Sequence, residues 1–136
     1  ALCRPAKLHF VLQEQWQGQF LCAAPELSRA LENMLDNAVR YTPAGGTVTL
    51  TISKADGDVS FTVADTGPGF TPEALHKAGQ FLYTDAARPG NGHQGLGLYL
   101  ARSVARAHGG NLIVSNDPAA HGARTELRLP ICANAL

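Results

Sequence analysis

Residues 31–43, LENMLDNAVRYTP, carry two stripes at helical spacing. Leu27, Leu31, Met34, Leu35 and Ala38 recur as the buried face of an amphipathic helix does. Beside them Asn33, Asn37 and Tyr41 stand four residues apart, so their side chains stack on one line of the same helix. Asparagine is a poor interior helix former because its amide competes with the backbone for hydrogen bonds. Two of them on one ridge beside the core face mean either a solvent-facing polar stripe or amides aimed into a polar site. Pro25 fits a first helical turn, and Glu26 suits the positive helix start. Thr42-Pro43 ends the helix near Tyr41, since the residue before a proline is pushed out of the helical region.

Around this helix the pattern changes to alternation. Residues 8–14 (LHFVLQE) and 19–23 (QFLCA) are expected as two short strands joined around Gly18. After a turn through Ala44, Gly45 and Gly46, Val48, Leu50 and Ile52 alternate with Thr47, Thr49, Thr51 and Ser53. Asp56-Gly57-Asp58 predicts a hairpin turn into a second strand, VSFTVAD. There Val59, Phe61 and Val63 share a face, and Asp65 continues it. An acid at the end of an apolar face is at least partly buried and needs hydrogen-bond donors, one of which a ligand can supply. The following DTGPGF gives close-approach and turning freedom at Gly67 and Gly69, with Pro68 as a stiffener. A tight strand exit would satisfy the same residues.

Residues 72–78 read as a short helix, and residues 79–94 dissolve into Gly, Pro, Asn and small residues, the mark of a functional lid or a disordered loop. A second helix starts at Gly95-Leu96-Gly97-Leu98, with Leu96, Leu100, Val104 and Ala107 as its expected apolar stripe and Gly109 as its C-terminal cap. A glycine-rich loop feeding a helix start is an anion site, since free backbone N–H groups and the helix dipole point outward together. Two strands, NLIVSN and TELRLPI, close the pattern around a turn through Pro118 and Gly122.

Composition narrows the function classes. At 136 residues the chain fits one domain, spanning 1–136 without internal repeat or linker. Eleven basic and eleven acidic residues cancel, so no charge excess attracts nucleic acid or anionic lipid, and a phosphate site must be local. No apolar run reaches membrane-spanning length and no signal peptide is visible. The sole methionine is Met34, which suggests a piece of a longer protein. Cys3, Cys22 and Cys132 are few, odd in number and far apart; they read as small apolar fillers in a reducing compartment.

Gly90-x-Gly92-x-x-Gly95 matches the dinucleotide-binding fingerprint, but no strand leads into it and no acid lies between Asp85 and Asp117 to hold a ribose. A Walker lysine motif is also missing. The ordered set is more specific: N-x-x-x-N-A-x-x-Y-T-P, then D-T-G-P-G beginning 28 residues after Asn37, then G-L-G-L beginning 30 residues after Asp65. This set resembles the ATP-binding catalytic domain of bacterial two-component sensor histidine kinases, in the superfamily shared with DNA gyrase, Hsp90 and MutL. The resemblance runs from about Leu8 to Ile131, including the ending HGGNLIVSNDPAAHGARTELRLPI.

The resemblance implies the Bergerat-type ATP-binding fold: a two-layer α/β (α+β) sandwich, its mixed, mostly antiparallel sheet covered on one face by about three helices. ATP would lie between the helix layer and a mobile lid. Asp65 would accept from the adenine amino group, in agreement with its parity, and Gly67 and Gly69 would let the loop close over the purine. Asn37 would hold Mg²⁺ through an amide oxygen, with Asn33 lining the same site. Arg40 and Tyr41 would reach the phosphate and ribose region. Gly95, Leu96, Gly97 and Leu98 would cradle phosphates, preceded by Gly92, His93 and Gln94, the last near the metal in some members. Thr125 falls where the family places a threonine beneath the base. Two departures concern the lid. The family often has two phenylalanines three residues apart and then a basic residue; here Phe81 keeps the second, Ala78 replaces the first, and Tyr83 stands near the basic position, with Arg88 as a substitute charge.

Hydrolases of the superfamily carry an acidic base four residues before the metal-binding Asn. That position is Asn33, an amide that cannot take a proton from water. A histidine acceptor is already nucleophilic as neutral imidazole, so the substitution fits a histidine kinase. His93, beside the phosphate loop, is either a ligand contact or solvent-exposed; His9, His76, His108 and His121 read as surface or structural. The phosphoacceptor is therefore expected on a separate dimerisation domain upstream, in a homodimeric kinase with a response regulator as its next partner. The resemblance further implies a cytoplasmic domain of a membrane-bound sensor. Other readings are a degenerate nucleotide-binding or docking module, and a superfamily ATPase.

Overall fold

The computed structural model describes residues 7–80, 97–119 and 122–131. Its strands are β1 (His9–Glu14), β2 (Thr47–Ala55), β3 (Asp58–Asp65), β4 (Asn111–Asn116) and β5 (Ala123–Pro130). They form one sheet in the order β1-β2-β3-β5-β4. Only β1 and β2 pair in parallel; the other three pairings are antiparallel. Helices α1 (Ala24–Tyr41), α2 (Pro72–Lys77) and α3 (Gly97–Ala107) complete an α/β sandwich.

Parity along the strands decides which face is covered. Val59, Phe61 and Val63 of β3 and Leu127 and Leu129 of β5 point into one core with Leu27, Ala30, Met34 and Ala38 of α1 and Leu98, Ala101 and Ala105 of α3. The opposite face is polar. There Ser60 donates to Glu126 Oε2 (2.9 Å), and the Arg128 guanidinium donates to the same oxygen (2.8 and 3.1 Å).

Local signals place the joints. Ala55 pairs with Asp58 across a two-residue turn in which Asp56 (φ 55°) and Gly57 (φ 82°) are both left-handed, the geometry that matches the strand twist. Helix α1 carries Pro25 in its first turn and stops at Thr42, whose extended conformation precedes Pro43. At the end of α3, Gly109 N–H bonds to Arg106 (3.0 Å) and Gly110 N–H to Ala105 (2.8 Å), a Schellman closure around Gly109 (φ 80°). His108 then joins the two long helices. Its Nε2 accepts from the Ala23 N–H (2.9 Å), which leaves Nδ1–H to donate to the Val104 carbonyl (2.8 Å). The structural role read for this histidine is the one observed.

Two expectations fail. Residues 19–23 form no strand. Phe20 instead packs between Trp16 and Phe61 in tilted contacts, with ring centroids 6.3 Å apart in both pairs, so this segment contributes aromatic packing to the core rather than an edge to the sheet. On α3 the buried face is Leu98, Ala101 and Ala105, whereas Leu100 is 40% exposed and Ala107 is also exposed. Close packing of α1 on α3 selects the small residues, and the bulkier Leu100–Val104 stripe borders an open groove beside Pro25 and Arg29. Leu96 lies outside the described residues.

Candidate functional site

The site is built where the C-terminal half of α1 meets the end of β3. Asn37 and Tyr41 are buried one helical turn apart, with Arg40 half-buried beside them. Asn33, a further turn back, is half-buried, and its Nδ2 is enclosed without a hydrogen-bond partner among the described residues. The polar ridge therefore faces inward along much of its length. A solvent-facing stripe does not describe it.

Asp65 ends the apolar face of β3 and is 5% exposed. Its Oδ1 accepts from Gly67 N–H (2.9 Å) and from Ala123 N–H (3.2 Å), the first residue of the neighbouring strand β5. Backbone donors thus fix one carboxylate oxygen, and a carboxylate can take about four donors in all. Thr66 anchors the loop to β2: its N–H donates to the Thr47 carbonyl (3.2 Å) and its Oγ1 accepts from Thr47 N–H (2.9 Å). Gly67 fits because it has no side chain. A Cβ there would stand 2.6 Å from the Tyr41 carbonyl oxygen and 3.2 Å from Asp65 Oδ1. Gly69 takes φ 79°, which turns the chain toward α2. Thr71 caps α2 by accepting from Ala74 N–H (3.2 Å).

Thr125 is buried on β5 opposite Val63, on the same sheet face as Asp65 and one row below it. Gly97 and Leu98 are buried at the start of α3. The structure thus gathers Tyr41, Asp65, Gly67 and Ala123 into direct contact, with Asn37 and Thr125 buried on the flanking elements. Ala78, at the expected first lid position, follows α2 and packs against the core. Phe81, Tyr83, Arg88, Gly92, His93, Gln94, Gly95 and Leu96 lie outside the described residues. Sequence reasoning missed two parts: the Ala123 N–H, a backbone donor that carries no side-chain signal, and the Thr66–Thr47 brace, which reads only as a polar residue after the acid.

Among the described residues no cluster of three His, Cys, Asp or Glu side chains could hold a metal. On the α1 ridge Asn33 and Asn37 offer amide oxygen as a donor. An enclosed amide nitrogen without an acceptor costs about 1–3 kcal/mol, and turning the Asn33 amide would present its oxygen instead. That fits a hard cation that keeps water and phosphate oxygens as further ligands.

The model of the histidine kinase-, DNA gyrase B- and HSP90-like ATPases matches residues 22–133, which takes in α1, the Asp65 loop and both last strands. The chain belongs to this family. Within it, sensor histidine kinase SpaK of Bacillus subtilis is 41% identical over 107 residues, covering 77% of this chain and 23% of SpaK. The chain thus spans about a quarter of that relative. Among solved structures, the mycobacterial sensor histidine kinase MprB superposes with a TM-score of 0.85 at 29% identity, over 96% of this chain and 88% of that one. Full-length ShkA, solved in complex with AMPPNP, superposes with a TM-score of 0.80 at 28% identity, over 96% of this chain and 27% of ShkA. Family membership and fold together make this a histidine kinase-type ATP-binding domain, homologous to two-component sensor kinases.

Proposed function

We propose that this domain binds Mg-ATP and delivers the γ-phosphoryl group to a histidine on a separate helical dimerisation domain, N-terminal in a longer protein. The observation that carries the reading is Asp65: a buried carboxylate held by two backbone N–H groups, beside a glycine pressed against the end of α1. Such an acceptor is suited to the exocyclic amine of adenine. Gly67 and Gly69 form the wall over the purine, and Thr125 lies beneath it. Tyr41 and Arg40 serve the ribose and phosphate side, with Phe81 and Arg88 on the lid. Gly92, His93, Gln94, Gly95, Leu96, Gly97 and Leu98 approach the phosphates, where backbone N–H groups at a helix start favour anions.

Asn37, with Asn33 and Gln94, would hold Mg²⁺, which supplies charge neutralisation on the transferring phosphoryl group. The protein's remaining contribution is positioning. Asn33 cannot act as a general base, so the domain alone should turn over little ATP. A neutral imidazole brings its own lone pair and needs no strong base. In this reading the intact protein is a homodimeric membrane sensor that passes its phosphoryl group to a response regulator.

Calorimetric titration of Mg-ATP into the domain and into Asp65→Asn tests the nucleotide site. Binding in the parent that weakens by about tenfold or more in the variant supports the assignment, since that ratio is about 1.4 kcal/mol, the scale of one good charged hydrogen bond. Equal binding in both would move the base away from Asp65. No binding in either would favour a docking module, a reading for which Ala78 in place of the lid phenylalanine is the motivating feature. Labelling of a supplied histidine domain separates a kinase from an ATPase, which would release phosphate without any acceptor.

A further inference from the structure

The loop that carries Gly67 and Gly69 is fastened at both ends, and its second fastening is a side chain to which nothing so far gives a role. Asn116, the last residue of β4, accepts from Phe70 N–H through Oδ1 (2.7 Å) and donates to the Phe70 carbonyl through Nδ2 (2.9 Å). A primary amide presents C=O and N–H side by side, so it can pair with a backbone edge as a neighbouring strand would.

Its place in the sheet gives this pairing a consequence. Asn116 is opposite Ala123, and the Ala123 N–H is the second donor to Asp65 Oδ1. Asn116, Ala123 and Asp65 therefore form one row across β4, β5 and β3. Strand parity puts Asn116 on the same face as Leu112, which is buried in the core. The loop leaves β3 at Asp65, crosses the end of β5 and is caught over β4 at Phe70. Between these posts Pro68 and Gly69 span the gap, with Gly69 left-handed. Phe70 is itself buried, so its backbone polar groups need partners that the amide supplies.

We propose that Asn116 is a positioning residue for the nucleotide site: its amide clamp on Phe70 sets the span of the loop, and so holds Gly67 and Asp65 where the base is received. The inference rests on the Mg-ATP reading above. Without the clamp the Phe70 backbone loses both bonds of this pairing, and more of the ordering of Gly67 on Asp65 must be met from binding energy.

Asn116→Ala and Asn116→Asp distinguish this from a merely structural bond. Mg-ATP affinity is measured by calorimetry for the parent and both variants from about pH 8 to about pH 5, with amide exchange at Gly67 and Phe70 followed in the nucleotide-free proteins. The alanine variant should lose about tenfold in affinity, which is about 1.4 kcal/mol, and should exchange faster at both amides. The aspartate variant should show the same deficit at neutral pH, because a carboxylate set against the Phe70 carbonyl is repelled. On acidification a carboxylic acid regains one donor and one acceptor, so affinity relative to the parent at the same pH should recover in this variant and not in the alanine one.

Affinity within twofold of the parent in both variants, unchanged exchange at Gly67, or an aspartate deficit that ignores pH would each overturn the proposal. Should the alanine variant not fold, the acid recovery of the aspartate variant decides alone. A parent that binds no nucleotide removes the Mg-ATP reading and this inference with it, whereas a parent that binds while the variants match it removes the inference only.

Discussion

At the scale of single residues, the site depends on places where a side chain is missing. Gly122 stands directly before Ala123, and a Cβ on it would run into the Asp65 carbonyl oxygen and lie 2.7 Å from the attached carbon. These are backbone atoms at the end of the β3–β5 pairing, so the clash cannot be relieved by a rotamer change. β5 would have to move away from β3 at the point where the Ala123 N–H reaches the Asp65 carboxylate (3.2 Å). Gly122→Ala should therefore cost roughly 2 kcal/mol or more, at the upper end of ordinary substitutions. Its effect on Mg-ATP affinity should exceed that of an equally destabilising change in the distant core. Denaturant unfolding and calorimetry on the same samples check both, and a variant as stable as the parent would show that β5 does not approach this closely.

At the scale of elements, α1 and α3 meet through small residues. Ala30 on one and Ala101 and Ala105 on the other are fully buried, and His108 ties the C-terminal end of α3 to the start of α1. Ala105→Leu should overpack this contact and lower stability by about 1–3 kcal/mol, read as a fall in the thermal midpoint. A variant with an unchanged midpoint would mean that the helices have room between them. The same contact explains what the sequence concealed. Periodicity marked α3 as amphipathic, but of the stripe it favoured, Leu96, Leu100, Val104 and Ala107, the structure exposes Leu100 and Ala107 and half-buries Val104 against the core. Full burial instead falls on Ala101 and Ala105, whose fit depends on how closely another helix lies, and no single-helix pattern contains that distance. Residues 19–23 misled in the same way, since an apolar run serves an aromatic contact with Phe61 as well as it serves a strand. Features fixed by local chemistry were legible: the Asp56-Gly57 turn, the Thr42-Pro43 stop, the Gly109 closure and the inward parity of Asp65. Its partner at Ala123 was not, because the backbone donor arrives from a strand nearly 60 residues further along, a separation of 58.

Across the whole molecule, the core is not centred on the sheet. The helices cover β2, β3, β5 and β4, while β1 stays at the edge with Phe10 54% and Leu12 60% exposed, although both share the core-facing parity of Val48 and Leu50. Leu35, Leu50 and these residues line a shallow open groove of about 260 Å³. Hydrophobic stabilisation scales with apolar area removed from water, so two leucines on the same sheet face should differ sharply in worth. Leu127, on β5 between β3 and β4, is fully buried. Leu127→Ala should cost about 2–5 kcal/mol through lost transfer energy and the cavity left behind. Leu12→Ala should stay within about 0.5 kcal/mol, because its side chain is mostly in water already. Urea unfolding of the two variants checks the contrast, with slopes expected to match the parent because neither changes the area exposed on unfolding by much. Comparable losses in both would mean that β1 is covered in solution, and the core would then extend to the edge of the sheet.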